Sequence, residues 1–440
     1  MWTAVVPATT IGLIWLFALI VWEWRHHTTF ENDLGERAPT WQRGWRAVFI
    51  VMGVATLARL VPTILLPVGA GYDIESFALV VDAWQNEAEI YAAVHNRHPY
   101  LPFYLYILRG VGWFVNTTGL PLVIGLKLPA VIADILLAGA LVGIMRWRER
   151  SWRVAYRAGW LYALNPIPIL VSAYHGQFDA IPALFMVMAA ALWSYKGRWL
   201  ISSLVLGVAV WSKTWPIFLW PVIFLRLNRW RERIIFTLCV FAIPTLGTLL
   251  YIWWFNIPAY NILSRALYHA GVPGFWGYSA FLGLVGQTWN SGFLGLLWPY
   301  RRYILILAAA SALLWTHRQT TIDALLTLIL TIFIVTPGMG IQWLLWVVPL
   351  AILVEDYRWL RLFSWAGLSF LLGQLYGIHM YNWAQIWFGN EWYIAMIRIY
   401  SIPAWLATFF WTADRYGWQP RLLHPEINAL WHQIWLWKRS

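Results

Sequence analysis

The sequence predicts an all-α polytopic membrane protein, and three observations carry that prediction. Apolar residues make up 61% of the 440-residue chain and charged residues 11%, against roughly 25% charged in a soluble domain. Uncharged apolar runs long enough for membrane helices recur from end to end. The 31 Lys and Arg, against 19 acidic residues, gather in short gaps between those runs. Arg146, Arg148, Arg150, Arg153 and Arg157 fill one gap, and Arg226, Arg229, Arg231 and Arg233 another. That is the positive-inside pattern of membrane proteins. It argues against a nucleic-acid partner despite the net charge of +12, because no folded basic domain remains to present such a face. Cys239 is the sole cysteine, which rules out a disulfide scaffold.

The runs place about thirteen spans, at 4–22, 47–67, 121–145, 154–173, 179–195, 199–212, 214–227, 234–255, 297–315, 321–336, 343–355, 362–378 and 395–412. With the gap at 146–153 cytoplasmic, alternation puts 23–46, 196–198, 226–233, 316–320, 355–361 and the tail from 413 on the same side, and these segments with their flanks hold 22 of the 31 basic residues. Residues 1–46 are then an extra N-terminal helix, uncleaved, with a cytoplasmic loop; 47–412 are the membrane domain; 413–440 are a basic cytoplasmic tail. Three long segments face the other side, 68–120, 256–296 and 379–394. The first holds aromatic-rich amphipathic stretches around 76–90 and 100–116, suited to helices lying in the membrane interface. The runs 199–212 and 214–227 are short for a crossing and suit a hairpin or broken helices lining a protein cavity.

Charge kept close to lipid marks candidate function. Asp73 and Glu75 follow Pro67 where the second span leaves the membrane, with Asp82 seven residues beyond Glu75 and near its face in a helix. Lys127 and Asp134 stand two turns apart on one predicted helix, and Asp134 needs a cation or hydrogen-bond donors from a neighbouring helix. His175, Gln177 and Asp179 crowd one extracytoplasmic turn, more polar groups than a helix cap needs. The cations mapped to the same side are Lys213, Arg265, His269, His379 and Arg398, with Arg97 and His98 beside Pro99. Together they suit a phosphate-bearing partner. No phosphate-binding Gly-rich loop, zinc-helix histidine pair or redox cysteine pair is present.

In order, these features are the early extracytoplasmic carboxylate, the KLPAVIAD helix, the HPYLPFYLYIL stretch, the HGQFD turn and a late TPGMGIQWLLWVVPL. Over residues 47–412 the set resembles the GT-C superfamily of polytopic glycosyltransferases. The branch it is most similar to contains the GPI mannosyltransferases, the endoplasmic-reticulum glucosyltransferases of N-glycan assembly and the bacterial family 87 enzymes. The late segment departs from the family's Ser-Pro-Gln-Tyr-like turn, since Pro337 and Gln342 are spread apart by Gly-Met-Gly-Ile.

The resemblance implies a GT-C-like fold and a membrane-embedded hexosyltransferase, mannosyltransferase-like, in a bacterial plasma membrane with its site on the extracytoplasmic face. Its donor would be a sugar carried on a polyprenyl phosphate, and its acceptor a lipid-linked glycan, lipid or protein. Asp73, with Glu75 as its neighbour, matches the family's catalytic carboxylate. Asp82, Lys127, Asp134, His175, Gln177, Asp179, Lys213, Arg265, His269, His379 and Arg398 are then candidates for substrate binding. A carboxylate can take the acceptor proton and fixed cations can stabilise the departing phosphate, so divalent metal is not expected to be essential and no other cofactor is implied. In-line displacement would invert the anomeric centre. A lipid-glycan transporter and a non-catalytic subunit of a larger membrane complex are the rival expectations; the transporter predicts inverted repeats, which the sequence lacks.

Overall fold

A computed structural model describes residues 44–418, apart from 67, 68, 95, 96, 269–272 and 289, together with positions 14, 18 and 21; for 375–393 it gives backbone alone. The expected span at 4–22 and most of the basic tail lie outside these residues. Among the described residues there is no β-strand, only an isolated bridge between Pro273 and Gly338. The main helices are α1 (Trp45–Leu65), α2 (Gly71–Gln85), α3 (Phe103–Thr118), α4 (Leu122–Trp147), α5 (Trp152–Ala163), α6 (Ala180–Lys196), α7 (Trp199–Ser212), α8 (Trp230–Phe255), α9 (Gly277–Leu284), α10 (Arg301–Trp315), α11 (Thr321–Val335), α12 (Leu344–Leu353) and α13 (Tyr357–Arg415).

Among the described residues, five helices are long and apolar enough to cross a membrane: α1, α4, α8, Gly292–Trp315 and Ile394–Arg415. Others, including α6, α7 and α11, are apolar but shorter. α12 is buried along its whole length, and every residue from Leu161 to Ala183 is buried, so these pieces are solvated by protein. Lipid-facing surface falls to helices such as α8, whose Leu238, Leu246, Leu249, Trp253 and Trp254 are all exposed. In water such a face would drive association.

The expected span at 154–173 is broken. α5 stops at Ala163, the Asn165 side chain accepts from the Ile167 amide, and a single turn (Pro166–Ile169) gives way to a π-helical turn (Leu170–His175). Pro166 and Pro168 lack the amide protons a continuous helix needs, and Asn caps a new start. Irregular backbone at membrane depth survives only inside protein, and this stretch is entirely buried.

The expected spans 362–378 and 395–412 belong to one helical run, α13. A straight helix of its 59 residues would reach about 88 Å. Yet Trp411 Nε1 donates to Asp356 at 2.7 Å, Trp359 Nε1 donates to Asp414 at 2.8 Å, and the rings of Trp359 and Trp411 stack. Gly373 abuts the Tyr400 side chain. The chain therefore doubles back between Gly373 and Tyr400, giving two antiparallel limbs with both ends beside the Arg-rich loops. The amphipathic stretches expected near 76–90 and 100–116 are α2 and α3. α2 begins earlier, which puts Asp73 in its first turn.

Candidate functional site

α4, α6 and α7 set the polarity of the bundle. α6 starts just after Asp179 and ends at Lys196, and α7 returns, starting just after Arg198 and ending just before Lys213. Asp179 and Lys213 thus stand together at the end opposite the Arg-rich loops. Lys213 Nζ donates to Asp179 Oδ2 at 2.6 Å, and Trp346 Nε1 of α12 donates to Oδ1 at 2.7 Å. Both partners of the ion pair are buried. Two buried charges are tolerated only when paired and hydrogen-bonded, and here each carboxylate oxygen has its own donor. Lys213 also sits 4.9 Å from the Tyr100 ring centre and 4.8 Å from that of Phe178, so aromatic faces take up the rest of its field. Trp215 stacks on Trp346 at 4.1 Å, and Tyr104 on Phe178 at 3.8 Å.

Beside this pair, His175 Nε2 donates to Asp73 Oδ2 at 3.1 Å. The imidazole is nearly buried, while the Asp73 side chain keeps 27% of its surface open. Burial pushes the Asp73 carboxyl up, but hydrogen bonds from His175 and Gln177 and the positive field of His175 and Lys213 outweigh it and hold it below the ordinary carboxylate range. Its place in the first turn of α2 adds the favourable end of the helix dipole. Asp73 is therefore an ionised carboxylate at the mouth of a buried polar cluster, oriented from behind.

The turn carrying His175 is locked to α2. The Ala70 amide donates to the His175 carbonyl at 3.1 Å. Gly176 then adopts φ 85°, and a Cβ there would stand 2.6 Å from Ile74 Cδ1. Gly176→Ala is expected to cost about 1–2 kcal/mol from the left-handed backbone alone, with more from the clash. A thermal melt of the detergent-solubilised variant checks this; an unchanged midpoint would show that the turn is not tight.

The other sequence candidates separate by place. Lys127 lies beneath the turn, donating to the Leu66 carbonyl at 3.0 Å with its Cγ 3.4 Å from the site of a Gly176 Cβ. Asp134 is not with the group. Deep between helices, it is held by Arg59 Nε of α1 at 2.5 Å and by the Tyr162 hydroxyl of α5. Glu75 is solvent-facing and pairs with Arg97 at 3.1 Å, and Asp82 is exposed on the same helix. Arg398 is spent on the carbonyls of Gly274 and Gly283, tying α13 to the loop before α9. His98 is buried, which pushes its imidazole down to about 3, so it is not a cation at neutral pH. His269 and the side chain of His379 lie outside the described residues. Arg265 is linked to Tyr100 indirectly, through Tyr91: its guanidinium lies 5.7 Å from the Tyr91 ring, and Tyr91 donates to the Tyr100 carbonyl at 2.6 Å. Arg265 has a buried Nη1 with no hydrogen-bond partner among the described residues, as does Gln177 with its Oε1.

Sequence reasoning passed over Arg59, Tyr100, Phe178 and Trp346. Arg59 was findable, since a lone cation in the apolar run ATLARLVP is the same signal that marked Asp134. The aromatics were not, because in a chain with 36 Trp no single one stands out. Among the described residues no group of three or more His, Cys, Asp or Glu side chains could hold a metal ion.

Residues 71–349 match the family model described as GPI transamidase subunit PIG-U. The chain belongs to this GT-C-like family of membrane proteins. The PIG-U match opens at the first residue of α2 and closes inside α12, so it takes in Asp73, His175, Gln177, Asp179, Lys213, Arg265 and Trp346 and leaves Arg398 outside. The chain is also similar to the polyprenol-phosphate-mannose-dependent alpha-(1-2)-phosphatidylinositol pentamannoside mannosyltransferase of Mycobacterium tuberculosis. That similarity is 25% identity over 399 residues, covering 85% of this chain and 89% of that protein. No solved structure gives a match.

Proposed function

We propose that this PIG-U family member transfers a sugar, mannose in the first instance, from a polyprenyl-phosphate carrier to a lipid-linked glycan, lipid or protein acceptor on the extracytoplasmic face. The observation that carries the reading is Asp73: a partly open, ionised carboxylate fixed by buried His175 beside the Lys213–Asp179 pair. The likeness to a polyprenol-phosphate-mannose-dependent mannosyltransferase supports glycosyl transfer as the general class and names the donor chemistry. Asp73 takes the acceptor hydroxyl proton as that oxygen bonds to the anomeric carbon, the sugar–phosphate bond breaks, and the configuration inverts. Arg265, whose Nη1 has no hydrogen-bond partner among the described residues, meets the phosphate leaving group, with Lys213 contributing its field. Gln177 Oε1 accepts from a sugar hydroxyl. An apolar cavity of about 540 Å³, walled by Tyr278, Phe281, Phe293, Ile334 and Trp405, offers a berth for the prenyl chain. Its Ile334 and Val335 lead through the TPGMG loop to Trp346.

A donor screen tests the reading: purified protein in nanodiscs is given a lipid extract and each of several polyprenyl-phosphate sugars, and products are read by mass spectrometry. Transfer from one donor class is expected. With side-chain cations meeting the phosphate charge, that transfer is expected to persist in excess chelator; loss on chelation with recovery on adding Mg²⁺ would reverse the assignment of charge stabilisation to Arg265 and Lys213.

The pH dependence has a definite sign. Asp73 titrates below its unfolded value of about 3.9, so its contact with His175 stabilises the fold above that value and is lost only as pH falls through the lower folded one. Transfer limited by Asp73 should hold level down to the ordinary carboxylate range. An acid limb centred well above about 4 would mean that another group governs the base.

A second reading rests on the family description, a transamidase subunit: the same cluster serves as a scaffold, with Asp179 and Lys213 neutralising each other in place. It predicts no donor consumption by the isolated chain.

A further inference from the structure

The far end of α6 builds a polar hollow. A cavity of about 390 Å³ opens among the last turn of α6, the loop entering α11 and the Arg-rich gaps. Fourteen residues of one helix separate Trp193 on its wall from Asp179, so it lies about 21 Å from the candidate active site. Among the described residues Arg226 enters it with hydrogen bonds only to carbonyl oxygens, those of Val222 at 2.7 Å, Thr316 at 2.8 Å and Gln319 at 3.0 Å. Arg148 meets Glu355 at 3.3 Å, but Glu355 also takes Arg150 at 2.7 Å, so one carboxylate serves two guanidiniums. Asp323, in the first turn of α11, is occupied by Arg415 at 2.7 Å and by the Thr320 hydroxyl at 2.5 Å.

Among the described residues positive charge is therefore in excess around the hollow. Thr320 caps the start of α11, accepting from the Asp323 amide at 3.3 Å, and Thr321 follows it on the wall of the hollow. Trp193 Nε1 donates to Thr321 Oγ1 at 2.9 Å, which leaves that hydroxyl proton free to point elsewhere. The chain neighbours of this hollow are apolar and exposed: Leu225 at 49%, Leu314 at 75% and Trp315 at 56%. An anion seated here would have hydrocarbon beside it.

We propose that this hollow binds the phosphate ester of an anionic phospholipid headgroup, with the acyl chains lying along Leu225, Leu314 and Trp315. A basic recess at a membrane edge is the setting in which such headgroups are held. Soluble glycerol phosphate shares the charged group but lacks the chains, which separates the two sources.

The test is native mass spectrometry of the full chain in detergent, titrated with phosphatidylglycerol, phosphatidylcholine or glycerol phosphate. Ser194 lines the hollow and is exposed, so Ser194→Phe fills it without removing a bond, and Arg226→Gln removes the unmatched charge. Wild type should retain phosphatidylglycerol over phosphatidylcholine, and each variant should lose that preference by roughly tenfold. Sugar transfer by Ser194→Phe in phosphatidylcholine nanodiscs should match wild type, keeping this site separate from the one at Asp73. Equal retention of phosphatidylglycerol by wild type and Ser194→Phe would overturn the site. Displacement of the lipid by glycerol phosphate at matching affinity would overturn the lipid assignment in favour of a soluble phosphate ester.

Discussion

Replacing Asp73 with Asn is expected to lower sugar transfer by about 10²–10⁴-fold, the range that a positioned general base supplies, with a modest fall in the melting midpoint at neutral pH as the charge-dependent part of the His175 contact is lost. Asn keeps the shape and can still accept from His175 Nε2, so the fold retains its contact between α2 and the turn at 170–175. What it loses is the negative charge. His175→Ala should give a smaller loss, because it removes the group that orients and stabilises the carboxylate and leaves the carboxylate itself, and its acid limb should move upward as Asp73 loses its partner. Glu75→Gln should be near neutral, since Glu75 is exposed and shares its charge with Arg97. Comparing the three variants in one transfer assay separates base from scaffold. An Asp73→Asn enzyme as fast as wild type would remove Asp73 from the chemistry.

The largest effect on stability is expected from the pair that takes no part in the site. Arg59→Met should destabilise by about 3–5 kcal/mol, because Asp134 is fully buried and its charge would be left without a cation. The Arg59 guanidinium also donates to the Ala163 carbonyl at 2.8 Å, where α5 ends. Its loss therefore unties α1 from both α4 and α5. The double variant Arg59→Met with Asp134→Leu should recover most of the loss, since an apolar pair of similar volume has no desolvation to offset; the Tyr162 hydroxyl, left unpaired, keeps a residual cost of about 1–3 kcal/mol. Melting of the single and double variants checks the cycle, and a single variant as stable as wild type would contradict it.

How much the sequence revealed follows from where each feature's cause lies. The all-helical fold was legible because its cause is local: apolar length and flanking charge. The break at Asn165–Pro166 was legible in principle, as Asn-Pro-Ile-Pro names its own interruption, yet mean hydropathy carried a span across it. The pairings were not legible, because they join residues about a hundred positions apart, as with His175 and Asp73. Lys127 and Asp134 show the limit. Seven residues apart on one helix, they suggested a single feature, but Lys127 serves the turn at Gly176 while Asp134 serves α1 and α5. The charge of Arg398 likewise suggested a phosphate partner, whereas the fold uses it to hold backbone carbonyls.

The most direct measurement is photo-crosslinking of the full chain in nanodiscs by a polyprenyl-phosphate-mannose analogue carrying a diazirine beside the phosphate, with labelled peptides mapped by mass spectrometry. Label should fall on the peptides bearing Asp73, Tyr100, His175 and Arg265, and unlabelled donor should compete it away. Label confined to the Arg-rich end around Trp193 and Arg226, or spread evenly over the lipid-facing helices, would contradict the assignment of the donor phosphate to the Asp73–His175 cluster.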